Sequence, residues 1–316
     1  MKKYATAIIG CGNVAGMYGD IDDKNVQSHA QAYQNNAKTE LKAVFDPDKE
    51  NLSKFCKKWN IKNGYISLDK MIKEQTPEIV SICSPTQYHY QHFKYLVTIP
   101  VLGIFAEKPM SNDLKECQKI VELTKNTPVA INFFRRWNKD FQILKSKIND
   151  NSYGQLRKII VHHTKGIINN GSHVLDLLDW FFGKLSLERV IKKYKKINND
   201  FGADCLLKTI NSVPIILSHI PDVDYVFIEI DFICDGGIIR INQRGQKIDI
   251  FIKDQDPDYK VFNRLLLKDQ ITTNWQNCFT EAVSNIIGSI ETGQEILCTP
   301  KEAYRSSLLC EKIIEG

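Results

Sequence analysis

A short apolar run, Ala5 to Ile9, leads directly into Gly10-Cys11-Gly12-Asn13-Val14-Ala15, and this turn limits the possible folds more than any other segment. The pattern G-x-G-x-x-G/A after a strand needs a sharp turn at the first glycine, close approach of backbone to a phosphate at the second, and tight packing at the small third residue. If the turn opens a helix, the helix N-terminus adds N–H donors and the positive end of its dipole. Gly10, Gly12, Asn13, Val14 and Ala15 are therefore the expected cradle of a dinucleotide pyrophosphate.

Glycines also mark ordinary turns, so a second element is needed. Leu41 to Phe45 reads as the next strand and ends on Asp46 in Val-Phe-Asp-Pro-Asp. A carboxylate there accepts hydrogen bonds from ribose hydroxyls and repels a 2′-phosphate, which favours NAD over NADP. The competing reading is that Asp46 only begins an Asp-Pro turn. The interval from Ala15 to Asp46 exceeds the usual spacing of about 20 residues, and Met17 to Ser28 reads as an inserted loop.

Strand and helix patterns then alternate. Ile79 to Cys83 is a strand closed by Ser84-Pro85, and Val101 to Ala106 is a strand ended by Glu107-Lys108-Pro109. Lys49 to Trp59, Leu68 to Glu74 and Asn112 to Lys125 read as helices, the last with Ser111 as N-cap. After Thr127-Pro128 the rhythm changes: Val129 to Phe133 and Lys158 to Lys165 are strands, Lys139 to Ile148 and His173 to Phe182 helices. Six strands follow, at Val190 to Ile197, Cys205 to Ile210, Ile215 to His219, Val226 to Cys234, Ile238 to Asn242 and Ile248 to Lys253, then helices at Trp275 to Thr292 and Lys301 to Ile314. The pattern predicts an α/β chain. A doubly wound parallel sheet fills residues 1–125, and an α+β domain with an open, mainly antiparallel mixed sheet fills 126–316, its last helix able to pack back on the first domain.

Bulk properties exclude several classes. A length of 316 residues suits two domains, and 43% hydrophobic with 25% charged residues is a globular composition. There is no apolar stretch of about 18 residues to span a bilayer, and the first apolar run is too short for a signal peptide. Nine scattered cysteines without a CxxC suit reduced thiols in the cytoplasm, and no ligand spacing suggests a metal. The net charge of +5 is mild. Lys192, Lys193, Lys195 and Lys196 read as a solvated run rather than a nucleic-acid patch, although a positive balance suits an anionic substrate.

Four ordered motifs now stand together: the glycine turn with Asp46, Ser84-Pro85-Thr86-Gln87-Tyr88-His89, Ala106-Glu107-Lys108-Pro109, and Gly171-Ser172-His173-Val174-Leu175-Asp176. In these the chain resembles the Gfo/Idh/MocA family of sugar and cyclitol oxidoreductases over nearly its full length. The resemblance implies a Rossmann domain followed by an open-sheet α/β domain, NAD as cofactor, and hydride transfer at a secondary alcohol of a sugar. It also implies Lys108 and His173 as catalytic residues. Ser84, Pro85, His89, Glu107 and Lys108 then join the glycine turn and Asp46 in holding the cofactor, with Tyr88 beside them. Arg135-Arg136-Trp137 matches an Arg-aromatic segment near the site, so Arg136 and Trp137 are expected to contact substrate. His29 borders the cleft without a catalytic role, and His162, His163 and His219 are structural.

One departure affects the substrate. Many members carry an aspartate four residues before the histidine, where this chain has Asn169. An amide cannot exchange a proton, so Asn169 can only orient substrate hydroxyls. That arrangement resembles members acting on the 3-hydroxyl of nucleotide-linked amino sugars or their uronic acids. A homodimer or homotetramer is the family-level expectation. Two other readings stay open at this point, an NAD-dependent glycosidase of the same fold and a non-catalytic NAD-binding regulator.

Overall fold

The computed structural model describes residues 3–19, 21–195 and 200–316. Asp20 of the inserted loop, Lys196 and Ile197 at the expected strand end, and Asn198 and Asn199 of the following loop lie outside the described residues. The chain divides into two compact units, residues 1–137 with 276–304, and residues 138–275 with 305–316.

The first unit is built on a six-stranded sheet of β1 (Tyr4–Ile9), β2 (Thr39–Phe45), β3 (Asn63–Tyr65), β4 (Ile79–Ile82), β5 (Gly103–Ala106) and β6 (Val129–Ile131). All neighbours are parallel, in the order β3-β2-β1-β4-β5-β6. A parallel sheet is covered on both faces, so its strands read as continuous apolar runs. β4 and β5 are buried at every position. Helices α1 (His29–Asn35), α2 (Lys49–Trp59), α3 (Leu68–Gln75), α4 (His89–Leu96) and α5 (Leu114–Leu123) are the connections. α2 starts where the Asp48 side chain accepts the amides of Glu50 and Asn51, and ends on Asn60 in the left-handed conformation. α8 (Cys278–Thr292) belongs to the same unit and sends Phe279, Ala282, Val283, Ile286 and Ile287 into its core.

The second unit holds α6 (Lys139–Asn149), β7 (Leu156–His163), α7 (Ser172–Phe182), seven more strands and most of α9 (Pro300–Glu315), whose residues to Tyr304 count with the first unit. The strands are β8 (Ser186–Lys193), β9 (Ala203–Lys208), β10 (Pro214–His219), β11 (Ile228–Cys234), β12 (Gly237–Asn242), β13 (Lys247–Gln255) and β14 (Asn263–Thr272). Their order is β14-β13-β12-β11-β7-β10-β9-β8, antiparallel except for β7 beside β10. Alternation decides which face is inside: Ile228, Ile230, Phe232 and Cys234 of β11 are buried in a core shared with α6, α7 and α9. On the other face Asp231 of β11 lies opposite Arg240 of β12 and pairs with it through two hydrogen bonds of 2.7 and 2.8 Å.

The fold class is the expected one, with local corrections. The glycine turn does not open a full helix: Asn13–Met17 is one turn, interrupted at Gly16, and α1 begins only at His29. The seven-residue α1, the three-residue β3, α4 and the long β14 were not expected. β14 exposes nearly every side chain, so it has no inward set to read. β6 pairs with β5 and α8 joins the first core, so both belong to the first unit rather than to the second domain drawn at residue 126. The cap of α5 is Asp113, not Ser111, whose hydroxyl instead accepts the amide of Asp113. No helix among the described residues is long and apolar enough to cross a membrane.

Candidate cofactor and substrate sites

In the first unit β1 and β4 are neighbours at the point where strand order reverses, so the loops leaving their C-terminal ends flank one crevice, the usual ligand position in such sheets. Gly10 turns the chain with φ +93°, and a Cβ there would lie 2.6 Å from the Ser84 nitrogen. Only glycine fits. Gly12 is the opposite case: it is exposed, and a Cβ would meet nothing within 4 Å, which leaves its backbone open to a ligand. Asn13 is exposed beside it, Val14 half-buried and Ala15 buried. The close packing assigned to Ala15 falls more heavily on Gly16, where a Cβ would sit 2.7 Å from the Phe55 ring and against the Trp59 indole, whose N–H donates to the Gly16 carbonyl.

Asp46 is only 8% exposed. Its Oδ2 accepts the Cys11 amide at 2.7 Å and its Oδ1 accepts the Asp48 amide at 2.9 Å. It therefore both begins the Asp-Pro turn and fastens the glycine turn, and each oxygen retains a lone pair for a further donor. An open glycine backbone at the end of β1 and an anchored carboxylate at the end of β2 fit the pyrophosphate and adenosine ribose of a dinucleotide.

The other expected cofactor residues divide by exposure. Pro85 and Tyr88 are exposed and Ser84 is half-buried, its hydroxyl 2.9 Å from Nδ1 of His92. His89 is buried, with Nδ1 2.9 Å from the Pro109 carbonyl and Nε2 2.7 Å from that of Ser84. It clamps the two loops together. Burial holds its ring below the usual imidazole range, against the pull of the two carbonyls. Burial likewise pushes His92 down to about 4. Glu107 follows β5, and its Oε1 receives Nε2 of His29 at 3.0 Å and Nδ2 of Asn132 at 2.5 Å. Burial alone would raise its carboxyl, but the hydrogen bond from His29, then that from Asn132 and the charge of Lys108, hold it below the ordinary carboxylate value. The Lys108–Pro109 peptide is cis.

Arg136 and Trp137, expected to contact substrate, are buried inside the first unit. Both are 1% exposed, Arg136 donates to the Leu297 carbonyl at 2.9 Å, and the Trp137 indole donates to Asn285 of α8 at 3.0 Å.

In the second unit the turn Ile167–Gly171 leads into α7. Asn169 is exposed on this turn and His173, half-buried, lies four residues on, a spacing that stacks side chains on one side of a helical turn. The turn is held from outside: the Asp200 carboxylate accepts the amides of Ile168 and Asn169 at 3.0 and 2.9 Å. From inside, the Ser172 hydroxyl donates toward the carbonyls of Ile168 and Asn169 at 2.6 and 2.9 Å. His163 and His219 lie with ring centroids 5.1 Å apart and planes tilted by 58°, both buried, while His162 is exposed. Asp200, Asn132 and Gly16 had no signal in the sequence. His29 had one, since Ser28 before it is a good N-cap and does accept the Gln31 amide.

Residues 5–133 match the family model described as an oxidoreductase family with an NAD-binding Rossmann fold. Among curated proteins, the chain is 25% identical over 117 residues to myo-inositol 2-dehydrogenase of Thermotoga maritima, covering 36% of this chain and 35% of that protein. It is 28% identical over 171 residues to glucose-6-phosphate 3-dehydrogenase of Bacillus subtilis, covering 52% of this chain and 43% of the other. These alignments thus span less than half of the relatives' length. Among solved structures, UDP-N-acetylglucosamine 3-dehydrogenase from Acidithiobacillus ferrooxidans superposes with a TM-score of 0.77 at 16% identity, covering 100% of this chain and 98% of that one, a likeness of fold. With an open glycine turn, an anchored Asp46 and the match over residues 5–133, the first unit is similar to the NAD-binding Rossmann domain of the Gfo/Idh/MocA oxidoreductases.

Proposed function

We propose that this protein is an NAD-dependent dehydrogenase or reductase acting on a secondary alcohol of a sugar, with Lys108 and His173 as its catalytic residues. The observation that carries the reading is the pairing of an exposed, unobstructed Gly12 with a carboxylate, Asp46, that fastens the same turn. Asp46 places negative charge where the adenosine ribose binds in such folds, which supports NAD over NADP. The nicotinamide, when bound, accepts or returns the hydride. The Lys108 ammonium steadies the alcohol oxygen as its proton leaves, beside a carboxylate, Glu107, held in its charged form. His173 takes or returns that proton, since an imidazole titrates near neutrality. Asn169, exposed four residues earlier, orients a neighbouring hydroxyl through its amide.

The 3-hydroxyl of a hexose is the preferred position, and a nucleotide-linked amino sugar the preferred substrate. Two of the similar proteins act, by name, at position 3, one on a sugar phosphate and one on a UDP-sugar. Self-association is also part of the reading. The β13–β14 hairpin exposes Tyr259, Val261, Phe262, Leu265 and Leu267, an apolar set that a second copy would cover. The nine cysteines form no disulfide among the described residues, which supports a reducing cytoplasmic setting.

The test is a panel of free hexoses, sugar phosphates, UDP-sugars and inositols with NAD+ or NADP+, followed by NADH or NADPH absorbance. Turnover with a UDP-hexose and NAD+ supports the full reading. Turnover with inositol alone moves the substrate to cyclitols. Binding of NAD+ without turnover or added stabilisation by any sugar supports a regulator.

A further inference from the structure

Glu107 carries a negative charge in a half-buried place, and the atoms around it account for how. Its Oε1 already receives the Asn132 amide, so the nearby Nε2 of His29 must carry a hydrogen to be accommodated. On the far side of the ring, Nδ1 of His29 is 2.9 Å from Oγ of Ser81 in β4, and the same Oγ is 2.7 Å from the Tyr33 hydroxyl. His29, Ser81 and Tyr33 are each 0% exposed, so water cannot complete their hydrogen bonding. One assignment uses every hydrogen: Tyr33 donates to Ser81, Ser81 donates to Nδ1, and Nε2–H donates to Glu107. With a hydrogen on Nδ1 as well, one of the two hydroxyl hydrogens, of Ser81 or of Tyr33, would be left without an acceptor within this set, a costly outcome.

The ring is also fixed sideways. Phe105 of β5 lies with its centroid 4.2 Å from that of His29, and Phe279 of α8 meets it edge-on at 5.6 Å. The His29 side chain therefore has one orientation, and it reaches from α1 across β4 to the segment that follows β5.

We propose that His29 is a positioning residue: oriented by Ser81 and Tyr33, it holds the Glu107 carboxylate and through it the adjoining Lys108 that the proposed reaction uses. The contact from Glu107 back to the chain is direct, since its Oε2 accepts the Lys108 amide at 3.3 Å. The inference rests on the nicotinamide reading only for the role of Lys108. The hold of His29 on Glu107 stands independently.

The titratable groups facing Glu107 are His29 from α1, Lys108 beside it, Cys83 after β4 and His89 from α4. Burial raises the Cys83 thiol well above its ordinary value and lowers His89, and both ring nitrogens of His89 are taken by the Pro109 and Ser84 carbonyls rather than by Glu107.

The experiment is an infrared pH titration of the full chain, with Glu107→Gln subtracted to identify the Glu107 carboxyl band. His29→Phe is expected to move that titration upward by about one pH unit or more, a tenfold gain in proton affinity. His29→Gln, whose amide can still donate, restores most of the difference, and Ser81→Ala and Tyr33→Phe shift it less in the same direction. With NAD+ as the probe, His29→Phe and Glu107→Gln each weaken binding about tenfold, and the double variant is no weaker than either alone, because both act through one contact. An unchanged Glu107 titration in His29→Phe, or additive losses in the double variant, overturns the proposal. If His29→Phe does not fold, the absence of any shift in both Ser81→Ala and Tyr33→Phe overturns it equally. Absence of NAD+ binding in the unaltered protein rejects the nicotinamide reading, while the infrared result still decides on His29.

Discussion

The Asp46 carboxylate accepts the Cys11 amide at 2.7 Å, so the acidic end of β2 closes the glycine turn that ends β1. The carboxylate is thus a structural tie as well as the proposed ribose acceptor, and the two uses can be separated. Asp46→Ala leaves the buried Cys11 amide without its acceptor and should lower stability by about 2 kcal/mol. Asp46→Asn keeps one acceptor oxygen but loses the charge. It should reduce the preference for NAD+ over NADP+ about tenfold or more, measured as the ratio of dissociation constants from fluorescence quenching.

Two glycines four residues apart, Gly12 and Gly16, answer to different constraints. Gly12→Ala adds a Cβ that meets nothing in the protein, so the melting temperature should stay within a few degrees while NAD+ binding weakens about tenfold or more. Gly16→Ala drives a Cβ into Phe55 and Trp59, and should cost about 1–3 kcal/mol in urea unfolding. The opposite pattern would reverse the assignment of cradle and packing position.

His173→Ala should lower turnover by about 10²–10⁴ while leaving NAD+ affinity within about twofold. Asn169→Asp, which introduces the carboxylate common in the family, should change the substrate KM more than the NAD+ dissociation constant. Unchanged turnover in His173→Ala would remove that residue from the mechanism.

Burial, with the charge of His219 second, depresses the His163 imidazole to about 4. The folded-state value lies below the unfolded one, so the unfolded chain binds more protons between those values. This contribution to stability is complete above about pH 6.5 and is lost as pH falls toward 4, to a total of roughly 3 kcal/mol. His163→Leu should make the fall in unfolding free energy between about pH 7 and about pH 4.5 shallower by up to one proton. A parallel fall in both proteins would place the titration elsewhere, with His92 the next group to replace.

If the β13–β14 hairpin mediates self-association, Val261→Lys with Leu267→Lys should convert an oligomer to a monomer in sedimentation velocity, with the melting temperature of the monomer little changed. Val261 is 86% exposed and Leu267 55%, so neither substitution disturbs the core of the second unit.

Much of this was legible locally. The strand before Gly10, the position of Asp46, the Glu107-Lys108-Pro109 tripeptide and the alternation of β11 through β13 are set by neighbours along the chain, and they identify a Rossmann unit followed by an open antiparallel sheet. α2 was found to the residue because its cap, its apolar spacing and its stop at Asn60 all lie within one segment. α1 was not, because seven residues after an inserted loop carry too little periodicity to read.

What the sequence by itself determined is the fold class and the glycine turn of the Rossmann unit, since both follow from short-range patterns of glycine, acid and apolar residues. Only the tertiary structure decided which side chains the turn and the proposed catalytic segments rely on. Gly16 matters because α2 returns to press Phe55 and Trp59 on it, Asp200 because a distant loop brings a carboxylate to the Asn169 turn, and Arg136 and Trp137 are anchored because Leu297 and Asn285 receive their hydrogens. The Gly10–Asp46 pattern was visible as two separate elements. That Asp46 holds the turn shut, as His29 holds Glu107, depends on hydrogen bonds between residues tens of positions apart, whose geometry is created by packing rather than by sequence spacing.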